Sequence, residues 1–363
     1  MNKSVRAIAF ATLTLSVLSG ILRYLVGIEY SHALTNLHVF LFNLTTGGVL
    51  ILITSEGRKY IGLTGALYLL GCICFSIGAA LNIPLLAIVP AVTLAALVES
   101  VRWKKYSWFP VDFFRRVPIA RKFAQASLLC LSIGLILCAG TVANNFYFKW
   151  FSIAKLDLHV FFLGFSFPIS LITFSVIFER IESSENPPKS DLEEFIFWAI
   201  NVGVILFFLF IITGAYPFQL LMALLLFSST CIAIYLHIKL PQKDDQWKLL
   251  SSALLFLTIG SLTGISFVVV TWKFGYSPQS PVLLLHAALT MFGWNLSWML
   301  LAAREDGHWQ GKRIRHIILL HWIFVVLFAL GRISALLAVG GMISFLALLY
   351  MAFFLPVTLK QAE

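Results

Sequence analysis

Three histidines recur at nearly regular intervals, each just inside the start of a hydrophobic stretch. They are His38, His159 and His286, in the segments NLHVFLFNLTTGG, DLHVFFLGFSFPI and LLHAALTMFGWNL. The first two are 121 residues apart and the last two 127, so the 363-residue chain is interpreted as one unit copied three times. An imidazole inside a bilayer is costly and usually functional. Three in register therefore indicate an inherited ligand site.

The composition indicates what kind of elements position these histidines. The chain is 60% hydrophobic and 12% charged, with a mean hydropathy of +0.93. A soluble domain would carry about 25% charged residues, and a helix needs about 20 apolar residues to cross a bilayer. Such stretches recur from end to end, so we expect an all-α polytopic membrane protein with no extramembrane domain. The net charge of +10 would favour nucleic acid as a partner of a soluble protein, but none is expected here.

Twelve membrane spans are predicted, numbered 1 to 12 in chain order. Their predicted bounds are 7–28, 34–54, 60–80, 84–101, 123–143, 156–178, 193–213, 217–238, 249–271, 282–303, 316–331 and 335–357. With the N-terminus inside, 21 of the 26 Lys and Arg residues fall on the inner side. The outer side holds only Arg23, Lys149, Lys155, Lys273 and Arg332. This asymmetry follows the positive-inside rule and predicts that both termini are cytoplasmic.

The spans group into a single membrane domain, 1–363, of three four-helix repeats at about 7–102, 123–238 and 249–357. The second span of each repeat carries its histidine near the outer face. Seven residues later, on nearly the same helical face, stand the small residues Thr45, Ser166 and Gly293. A histidine above a small residue, with aromatic neighbours, suits a haem pocket. It would also suit plain helix packing.

Twelve helices in three four-helix arcs, with histidines in spans 2, 6 and 10, resemble subunit I of the haem–copper oxidases. The chain looks closest to the short, divergent subunit-I-like and NnrS-type proteins. The resemblance covers the whole length in topology, but only three positions in motif. It implies that His38 and His286 hold a low-spin haem b between them, as two neutral imidazoles that suit the iron for electron transfer.

The same resemblance implies that this chain lacks most ligands of the family's high-spin haem and copper. The high-spin haem ligand of that family would stand at position 284, which is Leu284, and the copper ligands of span 7 have no counterpart in EEFIFWAINVGVILFFLF. His159 matches one copper ligand, but Val160, Phe161, Phe162 and Leu163 follow it and supply no tyrosine. Oxygen or nitric-oxide reduction is therefore not expected, and neither is copper. His159 is interpreted as a relic or as a ligand for something bound at the vacant position.

Two outer arginines complete the predicted site. Arg332, in the loop after span 11, falls where the family keeps arginines for the haem propionates, and Arg23 ends span 1 at the same face. The planar guanidinium fork suits carboxylates, although snorkelling to the interface explains both residues equally well. The remaining histidines, including His316 and His321 of span 11, lie outside the repeat and are interpreted as structural.

The sequence thus predicts a haem-b-binding protein of a bacterial inner membrane. It would serve electron transfer or redox sensing, or act as an accessory respiratory subunit beside other cytochrome subunits. An enzymatic activity of its own is left open. The alternative is a cofactor-free scaffold or a transporter with the same architecture, although no carboxylate is predicted at mid-depth, where ion coupling usually needs one.

Overall fold

The computed structural model describes residues 1–22, 28–151, 154–183, 190–240, 244–275, 277, 280–304 and 312–355. For 28–32, 154–163, 190 and 312 it describes the backbone alone. The described residues contain twelve helices long and apolar enough to cross a membrane. The protein is therefore an all-helical, multi-pass integral membrane protein, and the prediction of twelve spans is confirmed.

Most spans are single α-helices. Their bounds are Lys3–Leu22, Leu63–Ala80, Pro84–Lys105, Ile119–Ala143, Ala154–Glu182, Ser190–Thr213, Tyr216–Ile238, Asp245–Phe274, Lys312–Leu330 and Ala335–Phe353 for spans 1, 3 to 9, 11 and 12. Several begin or end beyond the predicted bounds, because polar residues at their ends complete the first or last turn. Span 9, for example, starts after Asp244, whose carboxylate accepts the Trp247 N–H at 2.7 Å as an N-cap.

Spans 2 and 10 are built differently, because each contains a π-helix in its middle. Span 2 consists of Ile28–Val39, the π-helix Phe40–Gly47 and Gly48–Ser55. Span 10 consists of Pro281–Ala287, the π-helix Ala288–Asn295 and Leu296–Ala303. A third π-helix, Asn144–Phe148, extends span 5. Such segments are rare and occur frequently at functional sites.

Spans 2, 6 and 10 form the centre of the bundle. In span 2, 89% of the hydrophobic window is buried, and in spans 6 and 10 the share is 61%, against 28% in spans 7, 9 and 11. The three central spans meet in a polar contact. The Asn295 amide donates to the Ser166 hydroxyl at 2.7 Å and lies 3.5 Å from the Asn43 carbonyl oxygen. Hydrogen bonds of this kind between helices favour one packing arrangement inside a bilayer.

The start of span 1 and the end of span 12 lie together at one end of the bundle. The Arg6 guanidinium donates to the Phe353 carbonyl at 3.0 Å. Arg304, just after span 10, donates to the Ala352 carbonyl at 2.8 Å and to the Leu355 carbonyl at 3.0 Å. The guanidinium groups thus satisfy carbonyls that the end of a helix leaves without partners, and they fix the first and last spans side by side.

Candidate functional site

His38 is held by span 1 through two reciprocal hydrogen bonds. Its Nδ1 donates to the Ser16 carbonyl at 2.7 Å, and the Ser16 hydroxyl donates to the His38 carbonyl at 2.7 Å. Because a carbonyl can only accept, Nδ1 carries the hydrogen and the lone pair of the neutral ring is on Nε2. This is the arrangement that orients imidazoles which ligate metals, with the other ring nitrogen bonded to a backbone carbonyl.

Gly20 makes room for the His38 ring. A Cβ atom at this position would lie 2.7 Å from Nδ1 and 2.8 Å from Cε1 of the imidazole. Gly20 follows Ser16 by one helical turn, so the carbonyl that anchors the ring and the glycine that admits it share a face of span 1. His38 itself is only 6% exposed.

His286 has the same type of environment on span 9. Its Nδ1 donates to the Gly260 carbonyl at 2.8 Å, and a Cβ atom at Gly264 would lie 3.0 Å from the imidazole Cε1. The glycine again follows the anchoring carbonyl by four residues. In both cases a π-helix starts two residues after the histidine, at Phe40 or Ala288. His38 and His286, 248 residues apart, are therefore anchored in the same way.

A cavity of about 60 Å³ lies beside His38, between spans 1, 2, 10 and 11. Its lining residues are Gly20, Thr35, His38, Leu284, Ala287, Ala288, Met291, Phe292, Phe328 and Ala329. The Phe328 ring stacks on the imidazole, with centroids 5.9 Å apart and planes 11° from parallel, and the Phe292 ring lies 5.3 Å away. Apart from His38 and Thr35, the lining is apolar, so the exposed edge of the imidazole borders a small hydrophobic space.

The structure does not bring His286 to this cavity. Span 10 lines it with Leu284, Ala287, Ala288 and Met291, spaced as one helical face. His286 is about 200° around the helix from Leu284 at 100° per residue, and its ring packs on Gly260 and Gly264 of span 9. The predicted partners of one haem thus lie against different neighbouring spans.

The small residue below His286 also has a different role from the one expected. A Cβ atom at Gly293 would lie 2.4 Å from the Phe256 ring of span 9. The space left by this glycine is filled by an aromatic side chain. Ser166 is a partner of Asn295, and the buried Thr45 hydroxyl has no hydrogen-bond partner among the described residues.

The donor chemistry beside His38 fits a haem iron, whereas the volume fits only part of the porphyrin. An anchored neutral imidazole is a common axial ligand. Pockets for ligands of this size usually measure about 300–1,000 Å³, so haem binding would require lining side chains to move. Phe328 is the ring stacked directly on the imidazole, and its displacement would open the space next to His38.

The other predicted site residues are placed as follows. Arg332 is exposed, in the turn between spans 11 and 12, three residues after Ala329 of the cavity. Arg23 lies outside the described residues. His159 lies on the helical backbone of span 6, and its side chain also lies outside the description. In the part of the chain that the structure describes, no three His, Cys, Asp or Glu side chains come together as a metal site.

One buried histidine of span 11 contacts a residue that lines the cavity. His321, which falls outside the sequence repeat, is fully enclosed, and its Nε2 donates to the carbonyl of Phe292, a residue that lines the cavity. The available signal was its position near the middle of span 11, where an imidazole is costly. Sequence spacing could not relate it to span 10, because the two residues meet only in the folded bundle.

Neither models of known protein families nor characterised proteins match this chain.

Proposed function

We propose that this integral membrane protein binds haem b through His38 and serves in electron transfer or redox sensing. The observation that carries the proposal is the hydrogen bond from His38 Nδ1 to the Ser16 carbonyl, which directs the ligand lone pair to Nε2. Further support comes from the apolar cavity beside the ring and from Gly20, which admits the ring. When bound, haem would supply a one-electron redox centre whose potential depends on its ligands and burial.

The chain's own residues would have distinct roles at this site. His38 would hold the iron, and Gly20 leaves room for the His38 ring against span 1. Phe292 and Phe328 exclude water from the imidazole. Arg332, near the cavity in sequence, would pair with a propionate. His286 as a second residue that would hold the haem stays a prediction, and in the structure its ring packs on span 9.

The proposal includes three four-helix repeats with both termini in the cytoplasm of a bacterial inner membrane. It is supported by the 21-to-5 distribution of basic residues and by the matching anchors in spans 2 and 10. Respiratory or cytochrome subunits would be the natural electron partners. A fusion of a reporter that is active only outside the cytoplasm to the C-terminus tests the orientation, and we expect that reporter to be silent.

Spectroscopy of the purified protein tests haem binding. We expect a sharp α-band in the reduced-minus-oxidised spectrum of protein from haem-replete cells. His38→Ala should abolish it, because no other imidazole lines the cavity among the described residues. His286→Ala separates this proposal from the predicted two-histidine site. Because the His286 ring packs on span 9, we expect that variant to retain more than half of the band.

The alternatives predict other results. Loss of the band in both variants would support the prediction that His38 and His286 bind one haem together. A band that survives His38→Ala would contradict the proposed ligand. A well-folded preparation without haem would overturn the function in favour of a cofactor-free scaffold or transporter.

A further inference from the structure

His321 lies at mid-membrane depth in span 11, eight residues from Arg313, or about 12 Å along the helix at 1.5 Å per residue. It is completely buried. Its Nε2 donates to the Phe292 carbonyl, which requires the hydrogen on Nε2. Nδ1 is then an acceptor, and it has no hydrogen-bond partner among the described residues. His321 therefore acts in the described structure as a hydrogen-bond donor, through its Nε2.

The Phe292 carbonyl needs this donor because of the π-helix. At its end the Leu296 N–H bonds to the Met291 carbonyl, five residues back. In a π-helix each N–H bonds to the carbonyl five residues back, and in an α-helix to the carbonyl four residues back. Where the first pattern changes to the second, one carbonyl receives no backbone N–H. Here it is the carbonyl of Phe292, which directly follows Met291. A buried carbonyl without a hydrogen-bond partner is costly inside a membrane protein, because no water replaces the missing donor.

Span 2 has a side-chain donor at the corresponding carbonyl, but there the backbone also supplies a partner, since the Gly48 N–H bonds to the carbonyls of Asn43, Leu44 and Thr45. Leu44 is 248 residues before Phe292, which is also the separation of His38 and His286. The Leu44 carbonyl accepts the Tyr68 hydroxyl of span 3 at 3.3 Å. In each case the side-chain donor comes from the span that follows the π-helix. The Leu44 carbonyl keeps its backbone bond without Tyr68, whereas the Phe292 carbonyl depends on His321.

We propose that His321 is a positioning residue for the His38 site, acting through the backbone of Phe292. This inference rests on the proposed function. The bond from His321 fixes the Phe292 carbonyl, and the Phe292 ring lies 5.3 Å from the His38 ring and lines its cavity. Loss of the bond would release the segment of span 10 that also presents Ala288 and Met291 to the cavity.

Three substitutions separate this role from others. His321→Gln keeps an N–H donor near the position of Nε2, His321→Asn moves it toward the position of Nδ1, and His321→Leu removes it. If the imidazole acted through its Nδ1 lone pair, as a ligand or proton acceptor, Gln would fail to replace it. Tyr68→Phe is the matched control, because it removes the side-chain donor to a π-helix carbonyl that keeps its backbone bond from Gly48.

Two measurements on the detergent-purified full chain form the test. We expect His321→Leu to raise hydrogen–deuterium exchange of the amides in 288–296 about fivefold or more, since the carbonyl loses its donor, and to shift the midpoint potential of the haem. His321→Gln should restore both, and Tyr68→Phe should leave exchange in 40–48 nearly unchanged, because the Gly48 N–H still bonds to the Leu44 carbonyl. If Leu does not fold, the comparison of Gln with Asn decides.

Wild-type exchange in His321→Leu, or a Gln variant that behaves like Leu, would overturn the positioning role. The proposed function and the positioning role of His321 can be contradicted independently of each other. A wild-type protein without haem contradicts the proposed function, whereas the exchange of 288–296 still tests the role of His321.

Discussion

The environments of His38 and His286 are two versions of one local structure. In each, Nδ1 donates to a carbonyl of the preceding span, at 2.7 Å for Ser16 and 2.8 Å for Gly260. A glycine one turn further along that span faces the ring, and a π-helix starts two residues after the histidine. The two histidines are therefore anchored in the same way, although they belong to different spans.

The two environments differ in what surrounds the anchor. At His38 the Ser16 side chain adds a second bond, and the ring borders a cavity. At His286 the anchoring residue is Gly260, which has no side chain to add, and the small residue Gly293 leaves space that Phe256 fills. The comparison teaches that regular spacing predicts the orientation of a histidine, whereas the neighbouring spans decide whether that histidine has a site.

The largest effect that separates the two environments is expected from Gly20→Ala. The new methyl group would lie within 2.8 Å of the His38 ring, closer than real contacts allow. Overpacking of this kind costs about 1–3 kcal/mol, and here the group displaced is the proposed ligand. We expect the variant to fold, to lose most of its α-band and to unfold at lower SDS concentration.

Gly140→Ala is the matched control for this substitution. Gly140 lies in span 5, and a Cβ atom there would meet nothing within 4 Å. Alanine in place of a helical glycine stabilises by about 0.5–1 kcal/mol, so the control should keep its spectrum and resist SDS slightly better. A full α-band in Gly20→Ala would show that the orientation of His38 is unimportant for haem.

A smaller effect is expected from the equivalent substitution at His286, Gly264→Ala. Its Cβ would lie 3.0 Å from the imidazole Cε1 and 3.1 Å from Nδ1, so a shift of a few tenths of an ångström relieves the contact. We expect a change in unfolding free energy within about 1 kcal/mol and a nearly unchanged α-band. Spectral loss equal to that of Gly20→Ala would indicate that both histidines bind one haem.

The helices and their number follow from the sequence because they depend on local composition. Twelve apolar stretches of membrane-spanning length predict twelve spans, and the structure has them. The bounds were less accurate, since caps such as Asp244 extend the helices with polar residues. The π-helices were not predicted, because seven-residue spacing assumes regular α-helical geometry throughout spans 2 and 10.

The candidate site was predictable in part. The sequence identified His38 and His286 as equivalent, but it could not assign them to neighbouring spans, because that depends on which faces pack together. For the same reason the sequence did not indicate the hydrogen bond of His321, because its partner Phe292 is 29 residues away on another helix. Residues that act through tertiary contacts have no periodic signal of their own.

The smallest effect on the α-band is expected from Ser16→Ala, which tests which Ser16 atom holds His38. The hydroxyl lies 3.4 Å from Nδ1, while the carbonyl lies 2.7 Å from it, so the shorter contact assigns the anchor to the backbone. Alanine keeps that carbonyl and removes only the hydroxyl bond to the His38 carbonyl. We expect a loss of about 0.5–1.5 kcal/mol in unfolding free energy, measured by SDS titration, and an unchanged α-band.

Ser229→Ala is the control, because this buried hydroxyl bonds within its own helix, to the Leu225 carbonyl. A spectrum altered only in Ser16→Ala would mean that the hydroxyl orients the imidazole, and the equivalence with His286, whose anchor Gly260 has no side chain, would then fail.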